Sequence, residues 1–104
     1  MINLTLFVLD ARCYDGVLEN GLDHKSCPYE VNLCGRITLQ GRTSYSCIPT
    51  SSVKNIGFSG TITDELNCQD LIIAGQNSRV CICKGDQKEY CNVPRKFKSI
   101  PQML

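Results

Sequence analysis

Cys81-Ile82-Cys83-Lys84-Gly85-Asp86-Gln87-Lys88-Glu89-Tyr90-Cys91-Asn92 is the stretch on which the fold turns. Cys81 and Cys83 are separated by one residue. That is too tight for a standard zinc knuckle, which presents two short C-x2–4-C or H-x3–5-H pairs. Working outward, five more cysteines lie at 13, 27, 34, 47 and 68, giving eight in all. No pair has the C-x-x-C spacing, and the single histidine rules out a metal enzyme built on histidines. An even set, at about a tenth of residues 13–91, has the density of a disulfide scaffold. Four bridges persist only in an oxidising compartment, so the expectation is a secreted or cell-surface protein. Spacing alone selects no pairing among eight cysteines.

The rest of the composition agrees with one small domain. The chain has 104 residues, of which 28 are Leu, Ile, Val or Phe, too many for a disordered tail. Eleven basic residues nearly cancel ten acidic ones, which argues against a nucleic-acid partner. A core drawn from short apolar runs is marginal at this length. Each bridge closing a loop of 15–25 residues removes on the order of 3 kcal/mol of unfolded-chain entropy. The fold is therefore expected to collapse on reduction.

Turn signals recur at short intervals, including Asp15-Gly16, Asn20-Gly21, Gln40-Gly41, Gly75-Gln76-Asn77 and Gly85-Asp86. Runs rich in β-branched and aromatic residues separate them, so the expected class is all-β. Arg36-Ile37-Thr38-Leu39 and Thr43-Ser44-Tyr45-Ser46 flank Gln40-Gly41-Arg42 as one hairpin. Leu71-Ile72-Ile73-Ala74 and Ser78-Arg79-Val80 flank Gly75-Gln76-Asn77 as another. Cys13-Tyr14 and the run from Lys25 to Cys27 frame a third, with Glu19-Asn20-Gly21 near its tip. Thr63-Asp64-Glu65-Leu66 reads as one helical turn, its hydroxyl capping and its acids in the first turn.

The opening Cys13-Tyr14 and the ending Cys81-Ile82-Cys83-Lys84-Gly85-Asp86 … Tyr90-Cys91-Asn92 resemble the three-finger family over residues 12–92. That family includes Ly6/uPAR domains, snake three-finger toxins and activin-type receptor ectodomains. The resemblance implies pairs Cys13–Cys34, Cys27–Cys47, Cys68–Cys81 and Cys83–Cys91. It further implies two antiparallel sheets, with fingers over residues 14–26, 35–46 and 69–80 projecting from a four-disulfide palm. Asn92 would tie the chain ends together there through its amide. Tyr14 is expected to pack on the same palm. The closing pair is C-x-C rather than C-C, and the 83–91 loop and the link from 48 to 67 are longer than usual. These departures place the chain nearer divergent Ly6-type or receptor-type members than toxins. A cystine-knot growth factor also uses C-x-C, but its C-x-G-x-C partner segment is absent.

The chemistry-bearing residues are sparse. His24 follows Asp23 in a polar segment and reads as a solvated loop residue rather than the base of a Ser-His-Asp site. Asp64-Glu65 lacks the apolar setting that would raise one carboxyl pKa. Gly57-Phe58-Ser59-Gly60 reads as a turn, not a phosphate loop. Lys84-Gly85-Asp86 is an integrin-recognition tripeptide in some disulfide-rich ligands. The expectation is therefore no catalysis, no cofactor and no metal. Interface energy concentrates in a few aromatic, Arg or apolar anchors. Leu22, His24, Arg42, Tyr45, Ile56, Phe58 and Arg79 are the exposed candidates. Tyr45 can instead pack on the sheet, and Phe58 is either folded back on the disulfides or offered to a partner.

The expected function is a monomeric recognition module. Its partner would be a cell-surface receptor, a channel or a protein ligand. The alternatives are a structural or adhesive extracellular module, or a small secreted enzyme or inhibitor. Residues 1–11 read as either a signal-peptide remnant or an extra strand with Leu4, Leu6 and Val8 alternating, and Asn3-Leu4-Thr5 is a glycosylation sequon. Residues 93–104 read as a flexible basic tail carrying Arg95, Lys96 and Lys98. No apolar span of about 20 residues is present, so no membrane span is expected. Surface anchoring would need an apolar tail beyond Leu104.

Overall fold

The computed structural model describes residues 11–94. The sequon, the N-terminal apolar run and Arg95, Lys96 and Lys98 lie outside the described residues.

Six strands and one short helix follow in chain order. They are β1 (Arg12–Val17), β2 (Asp23–Ser26), β3 (Leu33–Leu39), β4 (Arg42–Ile48), α1 (Thr50–Asn55), β5 (Asn67–Ile73) and β6 (Gln76–Lys84). A 3-10 turn over Leu18–Asn20 carries the chain from β1 towards β2. All pairings are antiparallel, in the order β2-β1-β4-β3-β6-β5. The two sheets that the resemblance implies are thus joined into one. Arg12 to Asp15 pair with β2, whereas Gly16 and Val17 pair with Tyr45 and Ser44 of β4. Gly16 sits at the switch with φ +118°, a backbone state that L side chains rarely adopt.

The hairpin turns are tighter than the sequence suggests. Leu39 pairs directly with Arg42, and Ile73 with Gln76. The two-residue turns are Gln40-Gly41 (φ +52°, +79°) and Ala74-Gly75 (φ +51°, +78°). Both have two positive φ values, which is the type I′ signature whose twist matches a right-twisted hairpin.

Alternation along the strands makes two different faces. One carries Leu33, Ile48, Val80 and Ile82, all buried, with Val53 and Phe58 packed onto them from the link between β4 and β5. A Cβ on Gly35 would come within 2.5 Å of Ile48 Cγ1, so a glycine there makes room for the isoleucine. The link is pinned to β5 by side chains. Gln69 accepts from the amides of Ser59 and Gly60 at 2.9 and 3.0 Å, and Asn67 donates to the Thr61 carbonyl at 2.8 Å.

The expected helical turn at 63–66 is not formed. The Thr63 carbonyl accepts from Lys84 N–H at 2.7 Å, and Glu65 N–H turns back onto Thr63 Oγ1 at 3.1 Å. Both bonds hold the segment open just before β5 begins. The helix lies earlier, after Pro49, whose φ of −66° suits a helix entrance, and Val53 is its buried residue.

The four bridges join Cys13–Cys34, Cys27–Cys47, Cys68–Cys81 and Cys83–Cys91, and no described cysteine is free. Ala11 is buried among Cys13, Cys27, Cys34, Cys83 and Cys91 in a second, sulfur-rich cluster at the base. A Cβ on Gly85 would collide with Cys34 Sγ, so this glycine is set by the sulfur packing. The molecule is a small four-disulfide all-β domain, compatible with a three-finger-like arrangement. Among the described residues no helix is long and apolar enough to cross a membrane.

Candidate functional site

Because the link covers one face of the sheet, the opposite face holds the groups available to a ligand. Strand register sets them in rows. Tyr45 stands beside Arg36, and Arg36 beside Cys81, which is bridged to Cys68. Two residues further out, Thr43, Thr38, Arg79 and Asp70 form the next row.

Arg36 is held on both sides. It donates to the Val93 carbonyl at 2.9 Å, and its other terminal nitrogen lies 3.6 Å from the Cys81 sulfur. Thr38 and Thr43 share a hydroxyl–hydroxyl hydrogen bond at 3.0 Å. Arg79 pairs with Asp70 at 2.9 Å, with both side chains about half exposed or more. Such a surface pair contributes on the order of 0–1 kcal/mol, so it is easily rearranged.

A cavity of about 270 Å³ opens on this face, bounded by Leu18, Arg36, Thr38, Thr43, Tyr45 and Arg79. A wider groove of about 810 Å³ continues from it towards the turns of the second and third hairpins, sharing Thr38 and Arg79 and adding Asp70, Leu71 and Ile72. Tyr45 is 2% exposed, and its hydroxyl has no hydrogen-bond partner among the described residues. A buried hydroxyl left unpaired costs about 1–3 kcal/mol. The fold carries that cost at the wall of a cavity that also holds two guanidinium groups.

The aromatic residues of the first hairpin gather elsewhere. Ring centroids of Tyr14 and His24 are 5.2 Å apart, those of Tyr14 and Tyr90 5.4 Å, and those of His24 and Tyr90 4.6 Å. All three ring pairs are tilted, a favourable arrangement for rings with a negative face and a positive edge. Asn92 is fully buried next to them. It accepts from Tyr14 N–H at 3.0 Å and donates to the carbonyls of Tyr14 and Gly35 at 3.1 and 2.8 Å. Its one amide joins β1, β3 and the end of the chain's last disulfide loop.

The exposed anchors read from the sequence therefore scatter. Tyr45 and Arg79 meet at the cavity, and His24 meets Tyr14, whereas Arg42 stands exposed beside the second hairpin turn. Leu22 is half-buried near Gly16. Three of the group are corrected. Tyr45 is 2% exposed although its register puts it on the open face, between Arg36 and Gly16 of the neighbouring strands; Phe58 is 5% exposed in the link's core, and Ile56 packs half-buried against the same core. Arg36, Thr38, Thr43 and Tyr90 escaped the sequence reading. The signal for the first three was their register opposite Tyr45 and Arg79 in an alternating hairpin; Tyr90 gave none beyond being aromatic.

Lys84-Gly85-Asp86 is not offered as a loop tip. Lys84 ends β6, Gly85 is buried, and the Asp86 carboxylate turns inward, with one oxygen accepting from Asn32 at 3.4 Å and the other buried. The sulfurs of Cys13, Cys27 and Cys47 lie within 4.8 Å of one another. Each is in a bridge, and metal ligation needs thiolates, so these residues do not fit a metal centre while the bridges are closed. No family model, curated protein or solved structure matches the chain at a significant level.

Proposed function

We propose that the chain is an extracellular protein-recognition module, a divergent relative of the Ly6-type three-finger proteins, that acts by binding and not by catalysis. One observation carries this reading. Four bridges and the Asn92 amide fix three hairpins to a common base, while the link covers only one face of the sheet. Loops pinned in this way lose little entropy on binding. Four disulfides support an oxidising compartment. His24, packed against Tyr14 and Tyr90, supports an aromatic packing role over that of a base.

Labelled protein applied to intact cells tests the proposal. Native protein should bind saturably, and reduced, alkylated protein should not. Equal binding by both forms, or none by the native form, overturns it. Turnover of an ester or peptide substrate that disappears on His24→Ala would restore the enzyme reading.

A further inference from the structure

We propose that the cavity walled by Tyr45, Arg36 and Arg79 is a carboxylate subsite. It would take a monoanionic group on a short apolar stem, presented by the partner. This rests on the recognition reading above and names the chemistry that the open face selects.

Four features converge. The first is the Tyr45 hydroxyl, a strong donor buried behind the cavity wall and unpaired among the described residues, which an acid oxygen would reach as the wall side chains turn aside. Donors of this kind form strong, short bonds to anionic oxygen, and shielding strengthens them further. Secondly, Arg36 is positioned by the Val93 carbonyl, so its charge is ordered before any ligand arrives. The third feature is the charge balance: Arg36 and Arg79 against Asp70 leave one positive charge, which matches a carboxylate better than a phosphate dianion. Lastly, Leu18 and the Cys68–Cys81 bridge give the cavity apolar boundaries that suit an aliphatic stem. At about 270 Å³ it lies just below the roughly 300–1,000 Å³ usual for small-ligand sites, the size of one side chain rather than a cofactor.

NMR titration of the native, four-disulfide protein provides the test. The probes are N-acetyl-leucine, a capped tripeptide with an internal glutamate, and N-acetyl-leucinamide as the neutral control. Saturating shifts at Tyr45, Thr38, Thr43 and Arg79 are expected with at least one of the acids and not with the amide. A response to the tripeptide alone makes the source a side-chain carboxylate. A response to acetyl-leucine alone makes it a chain terminus or free acid.

Tyr45→Phe separates binding from folding. It should leave the melting temperature unchanged or raise it, because the hydroxyl has no partner among the described residues. It should also weaken acid binding by about tenfold or more, the loss expected for one charged hydrogen bond. Arg79→Gln should weaken the acid comparably and leave the fold intact. The proposal is overturned if neither acid saturates, if the amide binds equally well, or if Tyr45→Phe lowers the melting temperature by several degrees. Cell binding that persists while both acids fail removes this subsite and leaves the recognition reading standing. Acid binding without cell binding does the reverse.

Discussion

Asn92 shows how much one side chain can hold. Its fully buried amide answers three backbone groups on two strands. Asn92→Ala would orphan them together and is expected to cost about 3–4 kcal/mol, read from a denaturant midpoint. Asn92→Asp should recover little, because a carboxylate accepts but cannot donate to the carbonyls of Tyr14 and Gly35. This residue was legible in the sequence because it directly follows the final cysteine. Tyr45 was not. An aromatic near a hairpin turn reads equally well as a tip or a wall, and only pairing register decides between them. Arg36 was missed for the same reason: its neighbours across the strands, Tyr45 and Cys81, lie 9 and 45 positions away in the chain and are invisible without the ladder.

Hairpins were easier to read than the link that joins them. Gly41 and Gly75 marked both tight turns, although Ala74, rather than Gln76, proved to be the other turn residue. Ala74 sits at φ +51°, where an alanine is strained and an asparagine is accepted. Ala74→Asn should therefore stabilise the third hairpin by about 0.5–1 kcal/mol, seen as a rise of a few degrees in melting temperature. The link is harder to predict because its shape depends on what it covers. Val53 and Phe58 fold back because the sheet offers them Leu33, Ile48, Val80 and Ile82. Phe58→Ala should cost about 3–5 kcal/mol, as for other buried aromatics, and loosen the link without opening the disulfides. Amide exchange over residues 50–66 would show that loosening directly.

At the scale of the whole molecule, covalent staples stand in for bulk. The bridges close spans of 21, 20, 13 and 8 residues, each worth about 2–3 kcal/mol in the chain-entropy account. Together they are comparable with the roughly 5–15 kcal/mol that keeps an ordinary domain folded. Full reduction should abolish the β-sheet circular dichroism. Partial reduction should be ordered, because an attacking thiolate must reach a sulfur. Cys68–Cys81 and Cys27–Cys47, each with a half-buried member, should open before Cys13–Cys34 and Cys83–Cys91, whose cysteines are buried throughout. Mass mapping of trapped intermediates checks the sequence of events. The eight cysteines made the scaffold legible, whereas the joining of the sheets through β1 depended on Gly16, a local bend with no sequence signal beyond its own presence.

The pairing of sulfurs also makes the domain a force limiter. Tension applied through Ala11 and Asn92 enters at Cys13 and Cys91 and crosses at once to Cys34 and Cys83, bypassing the first hairpin and the last loop. Cys68–Cys81 shorts out the third hairpin as well. Cys27–Cys47 shortens the rest, because load runs back over the 7 residues from Cys34 to Cys27 and crosses to Cys47; that stretch and the 21 residues from Cys47 to Cys68 set the limit, about 100 Å of thread, against about 270 Å once every bridge is cut. A single-molecule pull in oxidising and then reducing buffer should show those two lengths. Under load, the first and third hairpins would be the last parts of the molecule to feel the strain.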